Sequence, residues 1–188
     1  MDLRYRLAVV TESGAGLGRE IAVALSRVGA AVLSVDSDLP SAEATAAQVL
    51  EARVKAWALQ VDLDEEDDLR MLAARARDLG GMDLMVTTGS APELLTRLFL
   101  EGLSERRGRR DGSPAVVHVC GSTGDTWSLS DLGSSLGARV MAVVPGRAPA
   151  LEVTRATLEL LTRGTAGEVA HLDDGRPAGS RARTTWWS

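Results

Sequence analysis

Apolar residues along this chain follow two alternating rhythms. The runs RLAVV, AVLSV, AWALQV, DLMVTT, PAVVHVC, ARVMAVV and EVAHL are short and rich in aliphatic and β-branched residues, and they read as seven strands. Between them the apolar positions recur at helical spacing. Leu17, Ile21, Ala24, Leu25 and Val28 mark a first helix, with Gly29 as its terminator. SAEATAAQVLEARV predicts a second helix opened by Ser41 as N-cap. Asp64 is the expected cap of a third, where Glu65, Glu66, Asp67 and Asp68 face the positive end of the helix dipole. Residues 92–103 and 151–161 read as two more helices. Strand–helix alternation of this kind predicts an α/β fold, a doubly wound parallel sheet with right-handed crossovers and helices on both faces.

Composition narrows the class. At 188 residues, 45% hydrophobic and 25% charged, the chain suits one globular domain, expected over residues 1–176. RPAGSRARTTWWS reads as a tail, with residues 177–188 beyond the domain. A net charge of −5 provides no basic field for nucleic acid or an anionic membrane, and RRGRR (Arg106 to Arg110) reads as a solvated loop. Cys120 is the lone cysteine, so no internal disulfide is expected, and no motif sets a base beside it. No apolar run is long enough to span a bilayer, and MDLRYRLAVV carries no h-region of a secretory signal. A cytoplasmic location is therefore expected.

The first turn bears the candidate chemistry. In VVTESGAGLGREIAVAL, Gly14 and Gly16 are present, but Arg19 stands where GxGxxG would place its last glycine. The spacing that fits is T-x-x-x-x-G-x-G, from Thr11 through Gly16 and Gly18, with Leu17 between the glycines. This resembles the TGxxxGxG turn of the short-chain dehydrogenase/reductase family, in its NAD-type, 3-oxoacyl-reductase-like form. Other stretches extend the likeness over nearly the whole chain. Asp36 closes the second strand, as an acidic residue does in members preferring NAD. VDLD is similar to the family's adenine-contacting segment, which implies Asp62 and Leu63. MDLMVTTGSA resembles IDVLVNNAG with Thr87 and Thr88 for the asparagines. GARVMAVVPG resembles GIRVNAVAPG and ends in Pro145 and Gly146, and TAGEVAHLDDG resembles ITGQVLHVDGG. The resemblance implies a Rossmann-type sheet and NAD as cofactor, held by Thr11, Gly14, Gly16, Leu17, Gly18, Asp36, Asp62, Leu63, Thr88, Pro145 and Gly146. No metal is implied: His118 and His171 lie on different strands, and Asp173 and Asp174 follow the family's last turn.

Glu12 departs from the family where its turn has the first glycine. One reading is impaired nucleotide binding. A carboxylate about 5 Å from a phosphate, at an effective dielectric near 20, is repelled by roughly 3 kcal/mol. The side chain also meets backbone angles suited to glycine. In the other reading Ser13 and Gly14 let the loop take a different path, with Glu12 outside it.

The catalytic set implied by the resemblance is missing. A family member uses a tyrosine as general acid or base, a lysine four residues later, a serine and an asparagine. Here Tyr5 is the only tyrosine, Lys55 the only lysine, and the chain has no asparagine. The serine position falls on Gly121, with Ser122 one step beyond as a weak candidate. Between Gly124 and Gly137 only DTWSLSDLGSSL stands for the helix that bears tyrosine and lysine. The connections after the fourth, fifth and sixth strands are all short, and without the long helix between the fifth and sixth the sheet face there is expected to be left bare, which favours a partner or aggregation. Trp186 and Trp187 either anchor the tail on a partner or fray with it.

The expectation is a homologue with a partly retained NAD-binding half and no catalytic set. It would act as a non-catalytic subunit or nucleotide-responsive module, as a homo-oligomer or beside a full-length relative. The alternative is an NAD-dependent oxidoreductase for carbonyl/alcohol interconversion, with a rearranged or partner-completed site.

Overall fold

A computed structural model of the chain describes residues 2–89, 93–104, 113–120, 133–134 and 136–172. The elements run β1 (Leu7–Val10), α1 (Gly16–Arg27), β2 (Ala31–Asp36), α2 (Leu39–Leu50), β3 (Ala56–Gln60), α3 (Glu66–Asp78), β4 (Leu84–Thr88) and α4 (Glu93–Ser104). They continue through β5 (Ala115–Val119), β6 (Arg139–Val144), α5 (Ala150–Arg163) and β7 (Val169–His171). One seven-stranded sheet has the order β3-β2-β1-β4-β5-β6-β7, with every neighbouring pair parallel. This is the doubly wound α/β sheet that the alternating pattern predicts. All strand carboxyl ends therefore share one edge, and the winding reverses between β1 and β4, where such sheets form a ligand crevice.

Alternate strand residues build two cores. Ala8, Val10, Val32, Val86, Val117 and Met141 pack with Ile21 and Leu25 of α1 and Leu160 of α5. Val9, Leu33, Met85, Val116 and Val140 pack with Leu72 of α3 and with Leu95 and Phe99 of α4. Burial on both faces explains why the strands read as nearly unbroken apolar runs. Gly29 ends α1 as expected. At φ +92° it lets the Ala30 amide bond Leu25 O (3.1 Å) and its own amide bond Ser26 O (2.9 Å).

Two helix starts differ from the reading of the sequence. The second helix begins at Leu39 with Asp38 at its N-cap, because Pro40 has the fixed φ of a first helical turn. Ser41 lies inside that turn and its hydroxyl donates to the Asp38 carboxylate. Glu65, not Asp64, is the N-cap of α3, since the Asp64 amide is held by Asp62 Oδ1 at 3.0 Å.

The face expected to be bare is also different. Val116, His118, Val140 and Ala142 are all buried. Residues from α4 lie in the same core as Val116 and Val140, Leu136 packs against it, and the Gly133 backbone sits so close to Val140 that a Cβ there would meet its Cγ2 at 2.6 Å. Among the described residues, no apolar side chain of β5 or β6 is exposed. The tail from 177 and the Arg106 to Arg110 loop lie outside the described residues.

Candidate functional site

The glycine turn joins β1 to α1 at the reversal point. The Thr11 amide bonds Val86 O of β4 at 3.1 Å, and the Ser13 amide bonds Val35 O of β2 at 3.0 Å. Thr11 and Thr88 are bonded reciprocally across the crevice. Thr88 Oγ1 donates to Thr11 O (3.0 Å), and the Thr88 amide donates to Thr11 Oγ1 (3.4 Å). Buried Thr45 of α2 secures the turn from the other side, its hydroxyl donating to Ser13 O at 2.7 Å. The Arg19 guanidinium of α1 donates to Thr45 Oγ1 (3.1 Å) and to Gly14 O.

The amino end of α1 is open to a ligand. Ala15 caps it without a side-chain hydrogen bond, and its first turn has no acidic residue. Gly16, at φ +50°, has nothing within 4 Å of the position of a Cβ, so the helix end is clear. Backbone amides at a helix amino end, backed by its dipole, suit a phosphate oxygen. Gly18 is needed for a different reason: a Cβ there would meet Glu12 O at 2.2 Å. Leu17, between these glycines, packs against the α1 core.

Asp36 stands at the carboxyl end of β2, beside the turn. One carboxylate oxygen accepts the Gly14 amide at 2.7 Å and the other the Asp38 amide at 3.0 Å. Each oxygen keeps a lone pair, so the residues fit a ribose diol there and a diphosphate on α1. Asp62 and Leu63 follow β3. The Asp62 amide bonds Asp68 Oδ2 (2.8 Å), and its side chain lines a groove of about 660 Å³ with Leu39, Glu43, Gln60 and Asp68. Pro145 and Gly146 follow β6 at the same edge. Gly146 turns at φ +53°, where a Cβ would meet Leu172 O at 2.5 Å.

Glu12 is an exposed residue of this turn whose carboxylate bends back towards the crevice. It takes the left-handed conformation at φ +47°, so the turn keeps its course around a residue that is not glycine. Its carboxylate reaches across the crevice to β4. Oε2 lies 3.4 Å from Thr88 Oγ1 and 2.3 Å from where a Cβ on Gly89 would stand. Desolvation of the carboxylate raises its pKa. The Thr88 hydrogen bond acts in the opposite direction, and the charge of Asp36 adds to the rise.

The residues of the implied catalytic set are elsewhere. Tyr5 precedes β1 and is 86% exposed, and Lys55 precedes β3. Both are at the amino edge of the sheet, about 13–17 Å of strand away from the carboxyl edge that carries the turn. Ser122 and Gly121 lie outside the described residues, as do Asp173, Asp174, Trp186 and Trp187. His118 is buried, with Nδ1 2.7 Å from Thr87 Oγ1 on β4 and Nε2 3.5 Å from Thr96 Oγ1 on α4. Burial lowers its pKa to about 4, so it is neutral and joins strand to helix. No group of three or more metal-binding side chains occurs among the described residues. Nor is any helix there long and apolar enough to cross a membrane.

Sequence reasoning missed Thr45, Arg19 and Gly89 as parts of this site. Thr45 lies 26 residues from Arg19 and 32 from Ser13, and Gly89 meets Glu12 from a strand that is distant in the chain, beyond the reach of local spacing.

The parallel sheet, the glycine turn on the first helix and Asp36 at the second strand end together define a Rossmann-type nucleotide fold. The profile of the short chain dehydrogenase family matches residues 6–100, and the chain belongs to that family. A 7alpha-hydroxysteroid dehydrogenase of Escherichia coli (strain K12) is 31% identical over 96 residues, which cover 50% of this chain and 38% of that protein. The match thus spans well under half the length of that relative. Among solved structures, a short-chain type dehydrogenase/reductase from Mycobacterium marinum superposes with a TM-score of 0.81 at 16% identity, covering 93% of this chain and 96% of the other. A 7 alpha-hydroxysteroid dehydrogenase complexed with NADH and 7-oxo glycochenodeoxycholic acid gives 0.77 at 18% identity, covering 94% and 96%. At such identities these structures bear on the fold alone.

Proposed function

We propose that this chain is a non-catalytic member of its family that retains an NAD-type nucleotide site and works as a subunit or nucleotide-responsive module. One observation carries the reading. The open amino end of α1 and Asp36 lie at the carboxyl edge of the sheet, whereas the only tyrosine and the only lysine lie at the amino edge. Catalysis of the family's kind needs a general acid within hydrogen-bonding reach of the reacting oxygen. Asp36, with Asp38, Glu43 and Asp62 nearby along the β2–β3 ends, disfavours the extra phosphate of NADP. The partner is a second copy or a full-length relative, and the compartment is the cytoplasm.

Titration of the purified protein with NADH and NADPH, read by ligand fluorescence and thermal stability, tests this. Saturable binding of NADH, weaker for NADPH, with no reduction of carbonyl substrates, is expected. Robust turnover by a clean preparation would sink the non-catalytic reading. The second reading is an NAD-dependent oxidoreductase acting on a carbonyl/alcohol pair. The match to a hydroxysteroid dehydrogenase favours it, and it requires turnover that Ser122→Ala abolishes.

A further inference from the structure

We propose that Glu12 is a proton-operated barrier in the nucleotide crevice, excluding a diphosphate while ionised and admitting it once neutral. This rests on the nucleotide site proposed above and concerns its regulation. The argument begins with the strand order. β1 and β4 lie between β2 on one side and β5 and β6 on the other, so a ligand reaching from Asp36 towards Pro145 and Gly146 must cross the reversal point. The Glu12 carboxylate is drawn over that point, against Thr88 and Gly89. It belongs to the turn whose other end, Gly16 to Gly18, is the phosphate-binding helix end.

The charges around Glu12 are those of the four elements packed against it. β2 contributes Asp36, whose charge opposes ionisation of Glu12. α1 contributes Arg19, but its guanidinium is turned to Gly14 O and Thr45. β4 presents uncharged Thr88 and Gly89, and β1 ends in uncharged Thr11. Thr88 Oγ1 has one proton for two acceptors, Thr11 O at 3.0 Å and Glu12 Oε2 at 3.4 Å, so the bond it gives the carboxylate is long and shared. A protonated Glu12 can instead donate to Thr88 Oγ1. The neutral form thus fits this position better than the anion does. An arriving diphosphate adds negative charge and favours proton uptake further. By linkage, a ligand that prefers the protonated form binds more tightly as pH falls.

ADP-ribose is the suitable probe, because it has the diphosphate, stays charged across the range and lacks the acid-labile dihydronicotinamide. Binding is followed calorimetrically between about pH 8 and about pH 5 for the wild type and Glu12→Gln, a neutral isostere, with unfolding midpoints confirming that both are folded. For the wild type, affinity should rise at least about fivefold towards acid pH, while Glu12→Gln binds at the acidic wild-type level throughout, flat within about twofold. A wild type without pH dependence overturns the barrier but leaves the nucleotide site standing. An equal slope in both proteins also overturns it, by assigning the titration to another group such as Asp36. If neither protein binds at any pH, the nucleotide site itself fails and the barrier with it.

Discussion

The Gly14 amide donates a 2.7 Å hydrogen bond to the Asp36 carboxylate, 22 residues along the chain, and this bond aims the carboxylate along the crevice edge. A Cβ on Gly14 would stand 2.7 Å from Asp36 Oδ2 and 2.8 Å from Ser41 Cβ, so both neighbours would have to shift. Gly14→Ala is expected to cost about 1–3 kcal/mol of stability, the range for overpacking a tight site. It should also weaken nucleotide binding at least about tenfold, through the displaced Asp36. Chemical denaturation and NADH titration of the variant measure the two effects. Unchanged affinity would mean that Asp36 does not hold the ligand.

Glu12→Gly should stabilise the fold. The left-handed conformation at φ +47° costs a side-chain-bearing residue about 1–2 kcal/mol, and glycine returns roughly half of that gain through its freer unfolded chain. The raised pKa has the same sign, because a desolvated carboxylate loses stability as pH rises through its folded pKa. A net gain of about 0.5–1 kcal/mol at neutral pH is expected in denaturation, shrinking towards acid. A loss of stability would imply that the Thr88 contact outweighs both.

Acid should weaken the protein through His118. Its folded pKa of about 4 lies below the usual 6.5, so the unfolded chain takes up a proton first as pH falls. The contribution is therefore complete above pH 6.5 and is lost progressively down to about pH 4, amounting to about 3 kcal/mol at 1.4 kcal/mol per unit. Denaturation midpoints across that window should fall in the wild type and flatten in His118→Leu. An unaltered slope in the variant would place the titration elsewhere.

Arg139 holds the carboxyl end of α5. Its guanidinium donates to Leu160 O (3.2 Å), Leu161 O (2.8 Å) and Gly164 O (2.7 Å), linking β6 to the last carbonyls of the helix. Arg139→Met keeps much of the apolar stem but takes the guanidinium from Leu161 O and Gly164 O, while Leu160 O keeps the Gly164 amide, at an expected cost of about 1–3 kcal/mol. Equilibrium denaturation reads that loss. A change within about 0.5 kcal/mol, the scale of a neutral surface substitution, would mean that water replaces the guanidinium.

Much of this protein follows from local pattern alone. Alternating apolar runs of strand and helix period determine the α/β class, because a parallel sheet buried on both faces needs them. Gly29 and Gly16 announce their turns through the backbone freedom that only glycine has, and Gly18 through the close approach of the Glu12 carbonyl. That the chain has one tyrosine, one lysine and no asparagine is a matter of composition. Helix starts were less legible. Asp38 and Ser41, three residues apart, are both good caps, and the position of Pro40 decided between them. The covering of Val140 was not legible either, since it depends on how Gly133 and Leu136 fold back on the sheet.

What only the tertiary structure decided is which distant residues share an edge. Strand order sets β1 beside β4, and so brings Glu12 to Gly89 and Thr11 to Thr88. The common direction of the strands leaves Tyr5 and Lys55 on the opposite edge from the glycine turn. His118 became a neutral link because pairing with Thr87 and packing under α4 removed it from water. Local sequence sets periodicity and turn chemistry through neighbours a few residues away. Contacts across the crevice are set by the crossovers that order the strands, and those are satisfied only when the whole sheet has formed.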